Sequence, residues 1–229
     1  MQKSVSEADE RSEQERFAPA MPDDGGLTTE GRGLRVHCLS IIGQVEGHYL
    51  LGGGQKATRY EHLLPQLMEA EMDDRLDGLL ILLNTIGGDV EAGLCLAEMI
   101  ASLSKPTVTV VLGGGHSIGV PLAVSADRSF IVPSATMTLH PVRITGLVVG
   151  APQTYRYFED MQERILGFIA RHSHADAAEI RRLLMASDEL STDIGTIVDG
   201  AEAVRLGLID EIGGIAQAIA AIRTLSGRE

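Results

Sequence analysis

Five apolar residues in unbroken succession, Leu79-Leu80-Ile81-Leu82-Leu83, stand between Gly78 and Asn84. A strand sends alternate side chains to opposite faces, so this run needs cover on both faces, as in a sheet between helical layers. The turn Thr85-Ile86-Gly87-Gly88-Asp89 follows, and over residues 89–103 Val90, Leu94, Ala97, Ile100 and Ala101 recur at helical spacing. Lys105-Pro106 stops that helix, and residues 107–112 form a second apolar, β-branched strand that runs into glycines. A helix-compatible run over 120–125 comes next. Strand, glycine turn and helix, given twice, predict an α/β chain with parallel strands and right-handed crossovers. Both glycine turns then lie at the C-terminal ends of their strands, where open parallel sheets place their sites.

The rest of the chain is read around this centre. Residues 1–33 are polar, acidic and glycine-ended, which predicts a disordered tail before one domain over 34–229. Residues 34–42 predict a strand continued at 49–51, and 61–72 a helix beginning near His62, because Pro65 is tolerated only near a first turn. Short strands are expected at 129–132, 136–139 and 208–210 and an apolar strand at 144–150. Helices are expected at 153–172, 176–185, 201–206 and 215–225.

Composition excludes several classes. The net charge of -13 argues against a nucleic-acid surface or binding to anionic lipid. With 44% hydrophobic residues, 3% aromatic ones and no Trp, the core is aliphatic. Cys38 and Cys95 lie in apolar runs and read as small buried hydrophobes, so no disulfide framework, metal site or cofactor is expected. No secretory signal and no window of about 18 apolar residues is present, so a soluble, cytoplasmic protein without a membrane span is expected.

The chemistry centres on Gly115-His116-Ser117-Ile118-Gly119, a serine between glycines at a strand-to-helix turn. Small neighbours suit a bent nucleophile turn, and the following helix aims N–H groups at a developing oxyanion. Such a serine needs a base, and His140, at the end of a strand before Pro141, is the candidate. His116 is expected to be structural, and His172 and His174 to suit a helix C-terminus as cations. Asp193 is the first choice for the acid that orients the base, with Asp188 and Asp199 as alternatives. The N–H groups of Gly88 and Ile118 are candidate oxyanion donors. Ile144, Thr145, Gly146 and Leu147 could bind an extended peptide by strand addition, or form a core or oligomer strand.

Taken in order, Thr85-Ile86-Gly87-Gly88, Ala92-Gly93, His116-Ser117-Ile118-Gly119, Met137-Thr138-Leu139-His140-Pro141 and Ala201-Glu202-Ala203-Val204 with Gly207-Leu208-Ile209-Asp210 resemble the Clp protease proteolytic subunit (ClpP) family. The resemblance covers residues 34–223. It implies a ClpP/crotonase-like β-α spiral core with a projecting strand-helix handle, the handle matching residues 144–150 and the helix after them. It implies a serine peptidase with Ser117 as nucleophile, His140 as base and Gly88 and Ile118 as oxyanion donors. It further implies homo-oligomeric heptameric rings, often stacked, acting on peptides or unfolded proteins with an AAA+ unfoldase as partner. In one branch with this wording the implied role is aid to protein export or degradation of signal-type peptides.

Four other readings compete. An α/β-hydrolase shares G-x-S-x-G, but its order of serine, acid, histidine would require His172 or His174 as base. A Ser-Lys peptidase would use Lys56 or Lys105. A crotonase-type acyl-CoA enzyme would need the two amides and no nucleophile. A scaffold or export factor would leave these groups idle.

Overall fold

The computed structural model describes residues 25–52, 54–143, 150–186 and 195–228. Among the described residues nine strands form the sheet: β1 (Gly26–Gly31), β2 (Leu34–Glu46), β3 (Ala57–Arg59), β4 (Gly78–Gly88), β5 (Thr107–Gly115), β6 (Arg128–Ile131), β7 (Thr136–Leu139), β8 (Thr196–Asp199) and β9 (Glu211–Ile212). Seven helices lie among the described residues: α1 (Tyr60–Met72), α2 (Val90–Ala101), α3 (Gly119–Val124), α4 (Ala151–His172), α5 (Ala177–Met185), α6 (Gly200–Arg205) and α7 (Ile215–Leu225). The main path runs β1-β2-β4-β5-β6-β9, with β3 beside β2 and β7 between β5 and β8. The pairs β2–β4, β4–β5 and β5–β6 are parallel, as the two strand-helix units require.

The apolar run of β4 is divided between two layers. Leu79, Ile81 and Leu83 join a core shared with α1, α2, α3, α4 and α5, whereas Leu80 meets Ala218 and Ile222 of α7 on the opposite face. A strand covered by helices on both sides explains why period-two alternation of polarity is missing there. The helix α4 is different. Its residues 151–160 are exposed or half-buried, and burial begins at Met161 and continues through Leu166, Phe168 and Ile169. The first part of α4 therefore projects from the body, while its second part closes the core.

Several expectations are corrected. Order starts before residue 34, because β1 pairs with β2 as an antiparallel hairpin. Arg32 and Gly33, at φ 52° and 73°, form its two-residue turn, and positive φ at both positions matches the right-handed twist of the strands. Residues 49–51 are not strand: Leu51 N–H donates to Glu46 Oε2 at 3.1 Å, folding the segment back on the end of β2. The helix α1 begins at Tyr60, two residues earlier than expected, with Pro65 in its second turn. Near that missing N–H, Gln66 Nε2 donates to the His62 carbonyl at 2.9 Å. Residues 208–210 form a turn, where Leu208 and Ile209 both donate to the Ala203 carbonyl, and the strand starts at Glu211. Cys95 is exposed on α2, while Cys38 is half-buried and its thiol is pushed up by burial. No described helix is long and apolar enough to cross a membrane.

The helix α2 starts at a cap that the sequence announces. Asp89 Oδ1 accepts from Ala92 N–H at 2.9 Å, and Asp89 N–H donates to Val45 O at 2.9 Å, so one residue starts the helix and ends the β2–β4 ladder. Asp89→Ala is expected to lower stability by about 1 kcal/mol, read as a lower urea midpoint at unchanged slope.

Candidate active site

The serine turn is fixed from three sides. His116 N–H donates to Thr85 O on β4 at 3.2 Å, Ser117 N–H donates to Thr138 O on β7 at 2.8 Å, and Val120 N–H donates to Ser117 O at 3.0 Å as α3 begins. Ser117 has φ 58°, in the left-handed region that non-glycine residues rarely occupy. The glycines around it make room. A Cβ on Gly87 would fall 2.6 Å from Ser117 Cβ, and one on Gly93 of α2 would fall 2.3 Å from Cγ1 of the buried Ile118. The Ala92-Gly93 pair thus seats the residue after the serine.

The first glycine turn is held by Thr85, which is buried. Its hydroxyl donates to Gly43 O at 2.7 Å and accepts from Gly87 N–H at 3.0 Å. Gly87 and Gly88 have φ 91° and 153°, and a Cβ on Gly88 would lie 2.1 Å from Val45 O. Only glycine fits this approach of two backbones.

Ser117, Ile118, His140 and Gly88 line one cleft of about 140 Å³, so residues from β4, the serine turn and the end of β7 are brought together. Val90, Val120, Leu139, Ile165, Ile169 and Leu184 make part of its wall aliphatic, and Arg143 lines it as well. His140 Nδ1 is 2.7 Å from Pro141 O. A carbonyl only accepts, so Nδ1 is the donor, and in the neutral ring the lone pair is on Nε2. Beyond Pro141, Val142 N–H donates to Gln162 Oε1 at 2.9 Å, tying the chain to α4.

The other candidates separate cleanly. Asp193, Asp188, Ile144, Thr145, Gly146 and Leu147 lie outside the described residues. The flanks of residues 187–194 are described: Gly195 N–H donates to Ala186 O at 2.7 Å, and a Cβ on Gly195, at φ 132°, would fall 2.8 Å from His140 Cβ. The chain therefore returns against His140 two residues after Asp193. Asp199 instead caps α6 by accepting from Glu202 N–H at 2.9 Å, and its register partner is Thr136, at the far end of β7 from His140. His172 stacks on Phe168 with centroids 4.3 Å apart, and burial, with the charge of Arg171 second, pushes its ring below the usual histidine range. Arg171 is the other basic residue in the last turn of that helix. His174 is exposed, 3.6 Å from Asp210. Lys105 donates to Asp73 O at 3.0 Å, and Lys56 lines a separate cavity beside Glu46 and Arg59. Among the described residues, then, no lysine lines the cleft of Ser117, and no cluster of side chains could hold a metal ion.

The chain is similar to several known proteins. The chain is 56% identical over 184 residues to the translocation-enhancing protein TepA of Halalkalibacterium halodurans, covering 80% of this chain and 72% of that protein. It is 25% identical over 153 residues to the ATP-dependent Clp protease proteolytic subunit 1 of Protochlamydia amoebophila, covering 66% of this chain and 72% of that protein. Over 167 residues it is 25% identical to the ATP-dependent Clp protease proteolytic subunit 2 of Treponema denticola, covering 71% and 80% respectively. The profile of the Clp protease family matches residues 36–216, from the second strand to the start of the last helix, so the chain belongs to the Clp protease family.

Proposed function

We propose that this member of the family is a serine endopeptidase acting on peptides or unfolded proteins. The observation that carries the reading is the shared cleft of Ser117 and His140, with His140 Nδ1 donating to Pro141 O, so that Nε2 is the base of the neutral ring. Nε2 takes the proton of Ser117 Oγ as Oγ attacks the scissile carbonyl, then gives it to the leaving amine; water repeats the sequence on the acyl-enzyme. Gly88 and Ile118 supply the oxyanion N–H groups. Successive N–H groups of an extended strand point to opposite sides, and Asp89 N–H is taken by Val45 on β2, so that of Gly88 is directed away from β2. Asp193 is the acid that accepts the Nδ1–H hydrogen bond in place of Pro141 O, orienting the ring and stabilising the imidazolium. The aliphatic part of the lining, Val90, Val120, Ile165, Ile169 and Leu184, is assigned to an apolar side chain next to the scissile bond, with Arg143 the charged residue of the same lining. Residues 144–147 pair with the extended substrate.

We assign the working form as a homo-oligomeric ring in the cytoplasm, supplied by a partner ATPase or by peptides small enough to enter alone. Ile42, Ile86 and Leu112 support a subunit contact: three large apolar side chains at the exposed ends of adjacent strands. Likeness to the translocation-enhancing relative supports a role in protein export, with signal-type peptides as the substrates we assign to that role.

The test compares wild type, His140→Ala and Lys56→Met on peptides with leucine or aspartate before the scissile bond, with assembly checked by light scattering. Expected are cleavage of the leucine peptide at least about tenfold faster, its loss by about 10³-fold in His140→Ala, and wild-type rates in Lys56→Met. Loss in Lys56→Met with activity retained in His140→Ala would replace the histidine by a Ser-Lys pair.

A further inference from the structure

The glycine run before the serine seats a second imidazole. A Cβ on Gly114 would lie 2.6 Å from both Cδ2 and Nε2 of His116, so this ring packs against bare backbone. Its Nδ1 lies 2.8 Å from Thr138 Oγ1, and the carbonyl of the same threonine accepts the N–H of Ser117 at 2.8 Å. One residue of β7 thus holds both the serine and the residue before it. Thr138 and His140 are two apart on an extended chain, so their side chains leave the same side. That places His116 within electrostatic reach of His140. Burial, and after it the charge of His140, push His116 below the ordinary histidine range. The groups packed around it from other elements are Thr85 on β4, Gly114 on β5 and Thr138 on β7, none of which ionises near neutrality.

We propose that His116 is a positioning residue for the Ser117–His140 pair: it ties the serine turn to the base strand through Thr138 and stands uncharged beside His140 when that ring takes the serine proton. The proposal rests on the peptidase reading above. An uncharged His116 leaves the imidazolium of His140 unopposed in the transition state. A protonated His116 repels it. Two histidines then govern the acid limb, which steepens from one proton to two at its low-pH end.

Fluorophosphonate acylation of the assembled protein, followed over pH, tests this. His116→Ala is expected to lower the acylation rate at saturating probe by about 10- to 100-fold at unchanged probe affinity. His116→Asn keeps an amide for Thr138 and carries no charge, so it recovers to within about threefold and shows a one-proton acid limb. Wild-type rate and limb in His116→Ala would overturn the proposal while leaving the peptidase reading intact. A second measurement needs no activity: the titration of ¹³C-labelled His116 by NMR, with and without His140→Ala. The midpoint of His116 is expected to rise when His140 is removed, and an unchanged midpoint would overturn the coupling. If the assembled wild type does not acylate at all, the peptidase reading fails on its own, and this titration decides whether the two rings are coupled.

Discussion

Ser117→Ala abolishes fluorophosphonate labelling and lowers peptide hydrolysis by about 10⁴-fold or more, the loss expected when the nucleophile of an interdependent set is removed. Stability should move differently. Ser117 sits at φ 58°, where a Cβ crowds the following carbonyl, and its N–H is fixed to Thr138 O while its carbonyl accepts from Val120 N–H. Alanine keeps the Cβ and so keeps the strain. Glycine at 117 removes it, and Ser117→Gly is expected to be as inactive as alanine yet more stable than it by about 1 kcal/mol. Thermal denaturation of the two variants beside wild type reads this directly. A glycine variant less stable than the alanine one would mean that the turn is not strained.

Gly88→Ala has the largest expected effect on the scaffold. The new Cβ would fall 2.1 Å from Val45 O and 2.7 Å from Val45 N, both backbone atoms of a paired strand, and φ 153° is itself unfavourable for alanine. Neither neighbour is the flexible end of a side chain, so the β2–β4 ladder must open where Asp89 N–H meets Val45 O. A cost on the order of 3 kcal/mol follows, or a thermal midpoint lower by about 10 °C, together with loss of labelling. Gly87→Ala differs in kind. Its Cβ would meet Ser117 Cβ at 2.6 Å, so displacement of the nucleophile is the main consequence, and activity falls further than stability. Labelling and thermal midpoints of the two variants, measured side by side, separate the two roles.

The sheet and its helices were legible because their patterns are long. Five apolar residues between Gly78 and Asn84 have few ways to be covered, and the periodic stripe after Asp89 fits one helix. What escaped was short or conditional. The strand Ala57–Arg59 has three residues and forms by pairing with the end of β2. The hairpin strand Gly26–Gly31 lies in a composition that reads as tail, and its signal is the Arg32-Gly33 turn, which does not carry the usual Asn-Gly pair. Thr196–Asp199 exists because β7 is there to receive it. Within the site, Ser117 and His140 were read from their turns and do line one cleft. From the sequence the glycines read as small neighbours of a bent turn, without the side chain each one makes room for. The structure gives each a separate tenant: Asn84 against Gly113, His116 against Gly114, Ile118 against Gly93. His116 was read as structural because regular geometry points neighbouring residues apart. The link to Thr138, 22 positions away, brings it back to the base.

The most direct test of the central claim is the position of the fluorophosphonate adduct, found by digesting the labelled, assembled protein and sequencing the modified peptide by mass spectrometry. The account predicts one adduct per chain, on Ser117, absent from His140→Ala. An adduct on another serine, or none on a correctly assembled wild type, would contradict it.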